Sequence, residues 1–137
     1  MKKRKQFTLI ELMVVIVIIS LLAGVALPTV LKKLDKAKVG TAKGQIAIIE
    51  QAIDDYSLDT SGKLPSSLDC LMTNSDNVKG WNGPYLKRSV PKDPWKNDYV
   101  LTIPGNNGKY DIICYGADGV SGGTGFNADI GNWAEEE

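Results

Sequence analysis

From Leu12 to Leu31 the chain runs for twenty residues without a charge, dominated by Val, Ile and Leu. Coiled as a helix, twenty residues rise about 30 Å, the thickness of a bilayer's hydrocarbon core. This run predicts a membrane-spanning helix near the N-terminal end. A cleaved secretory signal is the competing reading, because Lys2, Lys3, Arg4 and Lys5 precede the run and Ala23 to Ala26 imitate a small-residue cleavage site. The run continues past those alanines and is longer than a usual signal core, which favours a retained helix.

The charges follow the same division. The chain is neutral overall, yet residues 1–50 hold nine basic and three acidic side chains, and residues 51–137 seven basic and thirteen acidic. A basic, apolar front end points to a membrane and its lipid, and no basic patch interleaved with aromatics points to nucleic acid. Lys2 to Lys5 argue for a cytoplasmic N-terminus. Lys32, Lys33, Lys36, Lys38 and Lys43 beyond the run blunt that bias. The extreme N-terminal place of the segment favours a signal-anchor arrangement, with the C-terminal part outside.

Beyond the apolar run, Val39, Ala42, Ile46, Ile49, Ile53 and Tyr56 recur at steps of three and four, the signature of one apolar helix face. Gly62 before Pro65 reads as a stop. One helix is therefore predicted from Phe7 to Asp59, its first half in lipid and its second against a small domain. Pro28 sits inside it and predicts a bend, and Gly40 and Gly44 weaken it. The remainder is turn-rich. Tyr99–Ile103 and Tyr110–Tyr115 read as two strands around the turn Pro104–Gly108. A short helix is expected around Ser67–Met72. The fold class is α+β: a long N-terminal helix packed on a small antiparallel sheet.

The chain has no histidine, which removes Ser-His-Asp and Cys-His catalysis and imidazole zinc sites. No acids stand at a spacing that suggests an acid/base pair, so no enzyme is expected. Cys70 and Cys114 form no CxxC motif; one disulfide and two separate buried thiols are both open readings. Glu11 lies at the edge of the apolar run. An acid at mid-membrane costs roughly 2.5–3.5 kcal/mol and less near the boundary. It either sits among headgroups or pairs with a cation. Trp81, Trp95 and Trp133 read as packing residues.

Phe7-Thr8-Leu9-Ile10-Glu11-Leu12, behind a short basic leader and ahead of an apolar run, resembles the processing signal of type IV pilins and pseudopilins. The resemblance implies that a prepilin peptidase cuts between Gln6 and Phe7 and methylates the new amine. It implies too that Glu11 pairs with that amine on a neighbouring subunit during assembly, and that Pro28 is the family's helix-bending proline. Gln6 departs from the pattern, since the family has Gly there. Trp81-Asn82-Gly83-Pro84-Tyr85-Leu86-Lys87, Val90-Pro91-Lys92-Asp93-Pro94-Trp95, Tyr115-Gly116-Ala117-Asp118-Gly119 and Ala128-Asp129-Ile130-Gly131-Asn132-Trp133 resemble the major pseudopilins of type II secretion. Lys96 and Asp98 stand where that family commonly has Gly and Pro.

The segment from Gly116 to Asp129 is a glycine-rich loop framed by two carboxylates. It lacks the ligand ladder of an EF-hand and the Gly-Lys-Ser/Thr of a P-loop. By composition alone it is a turn with solvated acids or a cation site. The resemblance implies calcium, with side-chain oxygens from Asp118 and Asp129, carbonyls from Tyr115 and Val120, and Asn127 as a further ligand. It implies a leader at 1–6, a transmembrane and filament-core helix at 7–31 and a periplasmic head at 32–137 that includes the second half of the long helix. The expected protein is a single-pass inner-membrane subunit of a pseudopilus, a homopolymer that works with minor pseudopilins and an inner-membrane assembly platform to export folded proteins. A type IV pilin for adhesion, motility or DNA uptake is the alternative, as is a signal-anchored calcium-binding module that never polymerises.

Overall fold

The computed structural model describes residues 5–133. Of the expected leader, Met1 to Arg4 lie outside the described residues, while Lys5 and Gln6 are exposed and without regular structure. The chain divides into two compact units, Met1–Asp35 and Lys36–Glu137.

One α-helix, α1, spans Leu9–Asp59, 51 residues with Pro28 inside it. It begins two residues later than the apolar pattern predicts. Thr8 supplies the cap: its Oγ accepts the Glu11 N–H at 3.3 Å and its carbonyl the Leu12 N–H at 3.2 Å. Thr8-Leu9-Ile10-Glu11 has capping-box spacing, which satisfies a helix-start donor that Phe7 has no side chain to satisfy. Pro28 offers no N–H to the carbonyl of Gly24, and the helix continues past it.

In the first unit every described side chain up to Leu34 is exposed, including Ile10, Val14, Ile18, Leu21 and Val25. The Ser20 hydroxyl donates to the Ile16 carbonyl at 2.8 Å, so this polar group is satisfied within the helix. Among the described residues α1 is the helix long and apolar enough to cross a membrane.

The second unit is a small α+β head. Ala42, Ile46, Ile49, Ile53 and Tyr56 of α1 are buried, as their spacing predicts, and Ala52 joins them. They pack with Leu68, Leu71, Leu86, Tyr99, Ile112, Cys114 and Ile130. Each large aliphatic side chain buried here contributes about 1.5–3 kcal/mol. The helix ends where Ser61 and Gly62 turn left-handed, with φ of 59° and 86°. The Gly62 N–H then reaches back to the Ser57 carbonyl at 2.8 Å.

A single 3₁₀ turn at Leu68–Leu71 stands where a short helix is expected. The sheet is antiparallel in the order β1-β2-β3, with β1 at Val100–Thr102, β2 at Asp111–Cys114 and β3 at Ile130–Gly131. Leu101 faces Ile112 across the first pair and Ile130 faces Cys114 across the second. Both expected strands are present but shorter. The hairpin turn takes over the residues next to it through Asp111, whose buried carboxylate accepts the N–H of Asn106 at 2.8 Å and of Asn107 at 3.2 Å. The packing reading holds for the tryptophans that touch the core. Trp81 and Trp95 are half-buried against it, and the Trp81 indole donates to the Cys70 carbonyl at 2.9 Å. Trp133 covers Gly131, where no side chain would fit.

Candidate functional site

Two groups of residues carry the chemistry expected of this chain. At the helix start, Phe7 is 76% exposed and Glu11 lies in the first turn of α1. A carboxylate there faces the positive end of the helix dipole and is favoured by it. Glu11 is exposed, so its charge remains open to an external cation.

The second group lies after β2. The loop folds back on itself: the Ala117 N–H donates to the Phe126 carbonyl at 2.9 Å. The two limbs lie so close that a Cβ on Gly116 would stand 2.8 Å from the carbonyl oxygens of Phe126 and Ala128. Gly116 also has φ of +70°, so only glycine suits this position. Tyr115, Asp118 and Val120 fall on one limb and Asn127 and Asp129 on the other. Asp118 Oδ1 accepts the Val120 N–H at 3.1 Å. Both oxygens of Asp129 accept the Gly122 N–H at 3.0 Å. Asp118, Val120 and Asn127 are exposed, and Tyr115 and Asp129 half-buried.

Among the described residues no three His, Cys, Asp or Glu side chains gather at one point. Among these residues, a metal that demands several nitrogen, sulfur or carboxylate ligands finds no such cluster. Calcium accepts carbonyl, amide and carboxylate oxygens and water in a flexible shell of six to eight. The donors of this loop are all oxygens, two of them carboxylates, and they fit calcium in kind.

The cysteines lie elsewhere and apart in their chemistry. Both are buried, free thiols, so the disulfide between Cys70 and Cys114 is not formed. Their partners differ. Cys70 sits among the hydroxyls of Ser66, Ser67 and Ser75 at 3.4–3.5 Å. Burial pushes this thiol up, but the serine hydroxyls outweigh it and hold Cys70 below the usual thiol range. Cys114, at the end of β2, donates instead to the carboxylate of Asp93 at 3.2 Å. Burial first, and then the charge of Asp93, pushes the Cys114 thiol up to about 12.

Asp93 is the residue that spacing alone does not single out. It is buried, and its Oδ1 accepts the N–H of Trp95 at 2.9 Å and of Asn97 at 2.8 Å. The Asp93 N–H donates in turn to the Asn97 carbonyl at 2.9 Å. This clamp forces Lys96 to φ of +76°. Asn97 then lies against Gly119 of the glycine-rich loop. An Asp before Pro is an ordinary turn signal, and only the approach of β2 to this turn shows what it holds.

The family model described as "Type II secretion system (T2SS), protein G" matches residues 29–133. The "Prokaryotic N-terminal methylation motif" matches residues 1–27. Type II secretion system core protein G of Pseudomonas aeruginosa is 43% identical over 141 residues, covering 97% of this chain and 99% of the relative. The core protein G of Vibrio cholerae serotype O1 is 44% identical over 138 residues, covering 97% and 94%. The crystal structure of the major pseudopilin from the type 2 secretion system of enterohaemorrhagic Escherichia coli is similar with a TM-score of 0.61 at 32% identity. That likeness covers 74% of this chain and 90% of the other.

Proposed function

The chain belongs to the type II secretion system protein G family, and we propose that it is the repeating structural subunit of a pseudopilus whose growth drives folded proteins across the outer membrane. The observation that carries this is the start of α1: a capped helix, uncharged from Leu12 to Leu31 and exposed at every described side chain up to Leu34. Before assembly, lipid of the inner membrane covers residues 7–31, and the head lies in the periplasm. In the filament, the same surfaces of neighbouring copies cover one another.

Lipid tails are as apolar as these side chains, so apolar contact by itself does little to choose a register between helices. A charge pair does. Removal of the leader after Gln6 by a prepilin peptidase leaves an ammonium on Phe7, four residues from Glu11. In a low-dielectric bundle an unpaired Glu11 is penalised, and pairing with the Phe7 amine of a neighbour relieves the penalty. The match to the N-terminal methylation motif supports this route. Minor pseudopilins and an inner-membrane assembly platform are the expected partners.

Calcium has a structural part in this reading. Asp118, Asp129, the carbonyls of Tyr115 and Val120, and Asn127 would hold it. The ion would order a glycine-rich loop that otherwise keeps much conformational freedom, and binding offsets that entropy.

Two measurements test the reading. The intact mass of the protein extracted from native membranes should correspond to a chain that starts at N-methylated Phe7; a chain retaining Met1 to Gln6 would end the Glu11 pairing mechanism. Asp118→Ala should abolish the calcium dependence of the melting temperature. A variant that still melts higher with calcium than with chelator would remove the ion from the loop.

A further inference from the structure

The uncharged run is bounded by charge at both ends. Glu11 closes it on one side, and Lys32 and Lys33 close it on the other. The twenty residues between them rise about 30 Å in helix, the thickness of the hydrocarbon core. With the run in lipid, Lys32 and Lys33 stand at the headgroup level of the far leaflet. Adjacent helix positions point about 100° apart, so the two ammonium groups address different lipids.

Both lysines are exposed. Neither makes an ion pair or a hydrogen bond among the described residues. Asp35 is the one acid between Leu12 and Ile49, and it pairs with neither of them. Leu31 and Leu34, on either side of the pair, are themselves 50% and 52% exposed. A lysine in such a place lays its stem along apolar surface and holds its ammonium in the headgroup layer.

With the head on the translocated side, positive charge next to the span lies where it is disfavoured. Lys32 and Lys33 are the first residues past the run, where that disfavour applies most directly. A partner that offsets it must lie at the membrane surface and carry negative charge. The phosphate of an anionic lipid does both, and an ammonium binds phosphate as a compact point charge.

We propose that Lys32 and Lys33 bind the headgroups of anionic phospholipids in the periplasmic leaflet and so fix the depth of the helix before assembly. This rests on the reading of the first unit as a membrane anchor. Entry into a filament then requires these headgroup contacts to be given up.

The test uses the full chain reconstituted in phosphatidylcholine vesicles with trace spin-labelled phosphatidylglycerol or spin-labelled phosphatidylcholine. The motionally restricted fraction of each label beside the protein gives their relative association. The parent should prefer phosphatidylglycerol, and salt should weaken the preference. Lys32→Gln with Lys33→Gln should lower it about fivefold or more. Lys32→Arg with Lys33→Arg should keep it. Lys63→Gln with Lys79→Gln, which removes equal charge from the head, should keep it too. A parent without the preference, or a Lys32/Lys33 glutamine variant with the parent's preference, overturns the proposal and leaves the anchor in place. If that glutamine variant keeps the lipid preference and loses cross-linking between copies, the lysines serve a protein interface and the proposal is likewise overturned. A parent that stays out of the vesicles takes down the anchor reading and this proposal together.

Discussion

Lys96 is the residue whose replacement most directly tests how the head is held. It sits at φ of +76°, in the region where a Cβ crowds the backbone. Left-handed backbone costs a non-glycine residue about 1–2 kcal/mol. The conformation is imposed by its neighbours: the Lys96 N–H donates to the Asp93 carbonyl at 3.0 Å, and the Asn97 N–H to the Asp93 carboxylate at 2.8 Å. The lysine side chain is exposed. Lys96→Gly removes the crowding but gives the unfolded chain extra freedom, worth about 0.5–1 kcal/mol. The net gain is about 0.5–1 kcal/mol, a rise of about 3–6 °C for a domain near 100 residues. Near-ultraviolet circular dichroism of the full chain in detergent, followed through thermal unfolding, reads the loss of head packing. Lys96→Ala keeps the Cβ and hence the crowding, so it should show no such rise. If alanine stabilises as much as glycine, the effect comes from the lysine side chain and the strain argument is wrong.

The remaining expectations concern the core and its pH limits. Ile53→Ala, at a fully buried site on α1, should lower the unfolding free energy by about 2–5 kcal/mol in denaturant titration; a loss below about 1 kcal/mol would mean that the core does not close around this face. Tyr110 titrates high, up to about 12, first through burial and then through the carboxylates of Asp54 and Glu50. The folded chain therefore keeps this proton between pH 10 and 12 while the unfolded chain, with the ordinary value of 10.0, loses it. Stability is complete below that window and falls as pH rises through it. Tyr110→Phe should flatten this fall, and an identical slope in both proteins would rule out Tyr110 as its source.

Much of the fold is legible in the sequence because its signals are local. The apolar face from Ala42 to Tyr56 and the uncharged run before it are periodic patterns that need no tertiary information. The start of α1 is harder, because Phe7 is as apolar as the residues of the helix itself and only the Thr8 hydroxyl distinguishes the boundary. Strand β3 is not legible at all. It is two residues long and exists because Ile113 and Cys114 lie beside Ile130 and Gly131. The loop's acids are visible in composition, but Asn97 becomes part of its surroundings only through contact with Gly119 across the fold. Likewise, nothing in the spacing of Cys70 and Cys114 says that one faces hydroxyls and the other a carboxylate.

The acidic bias of the second half takes on a physical meaning in the head's turns. Three strands of three, four and two residues supply few ladder hydrogen bonds, so most of the head's backbone must be satisfied by other means. Asp76 accepts the N–H of Ser66, Asp93 those of Trp95 and Asn97, and Asp111 those of Asn106 and Asn107. Asp118 accepts the N–H of Val120 and Asp129 that of Gly122. Five carboxylates thus do in the turns what a larger sheet would do with its carbonyls. Asp93 and Asp111 are buried and committed to this work. Asp118 is exposed and Asp129 half-buried, each closing a turn of the same glycine-rich loop. The same kind of carboxylate therefore serves two ends: where burial is complete it fixes a turn, and where solvent reaches it the oxygens remain open to a cation.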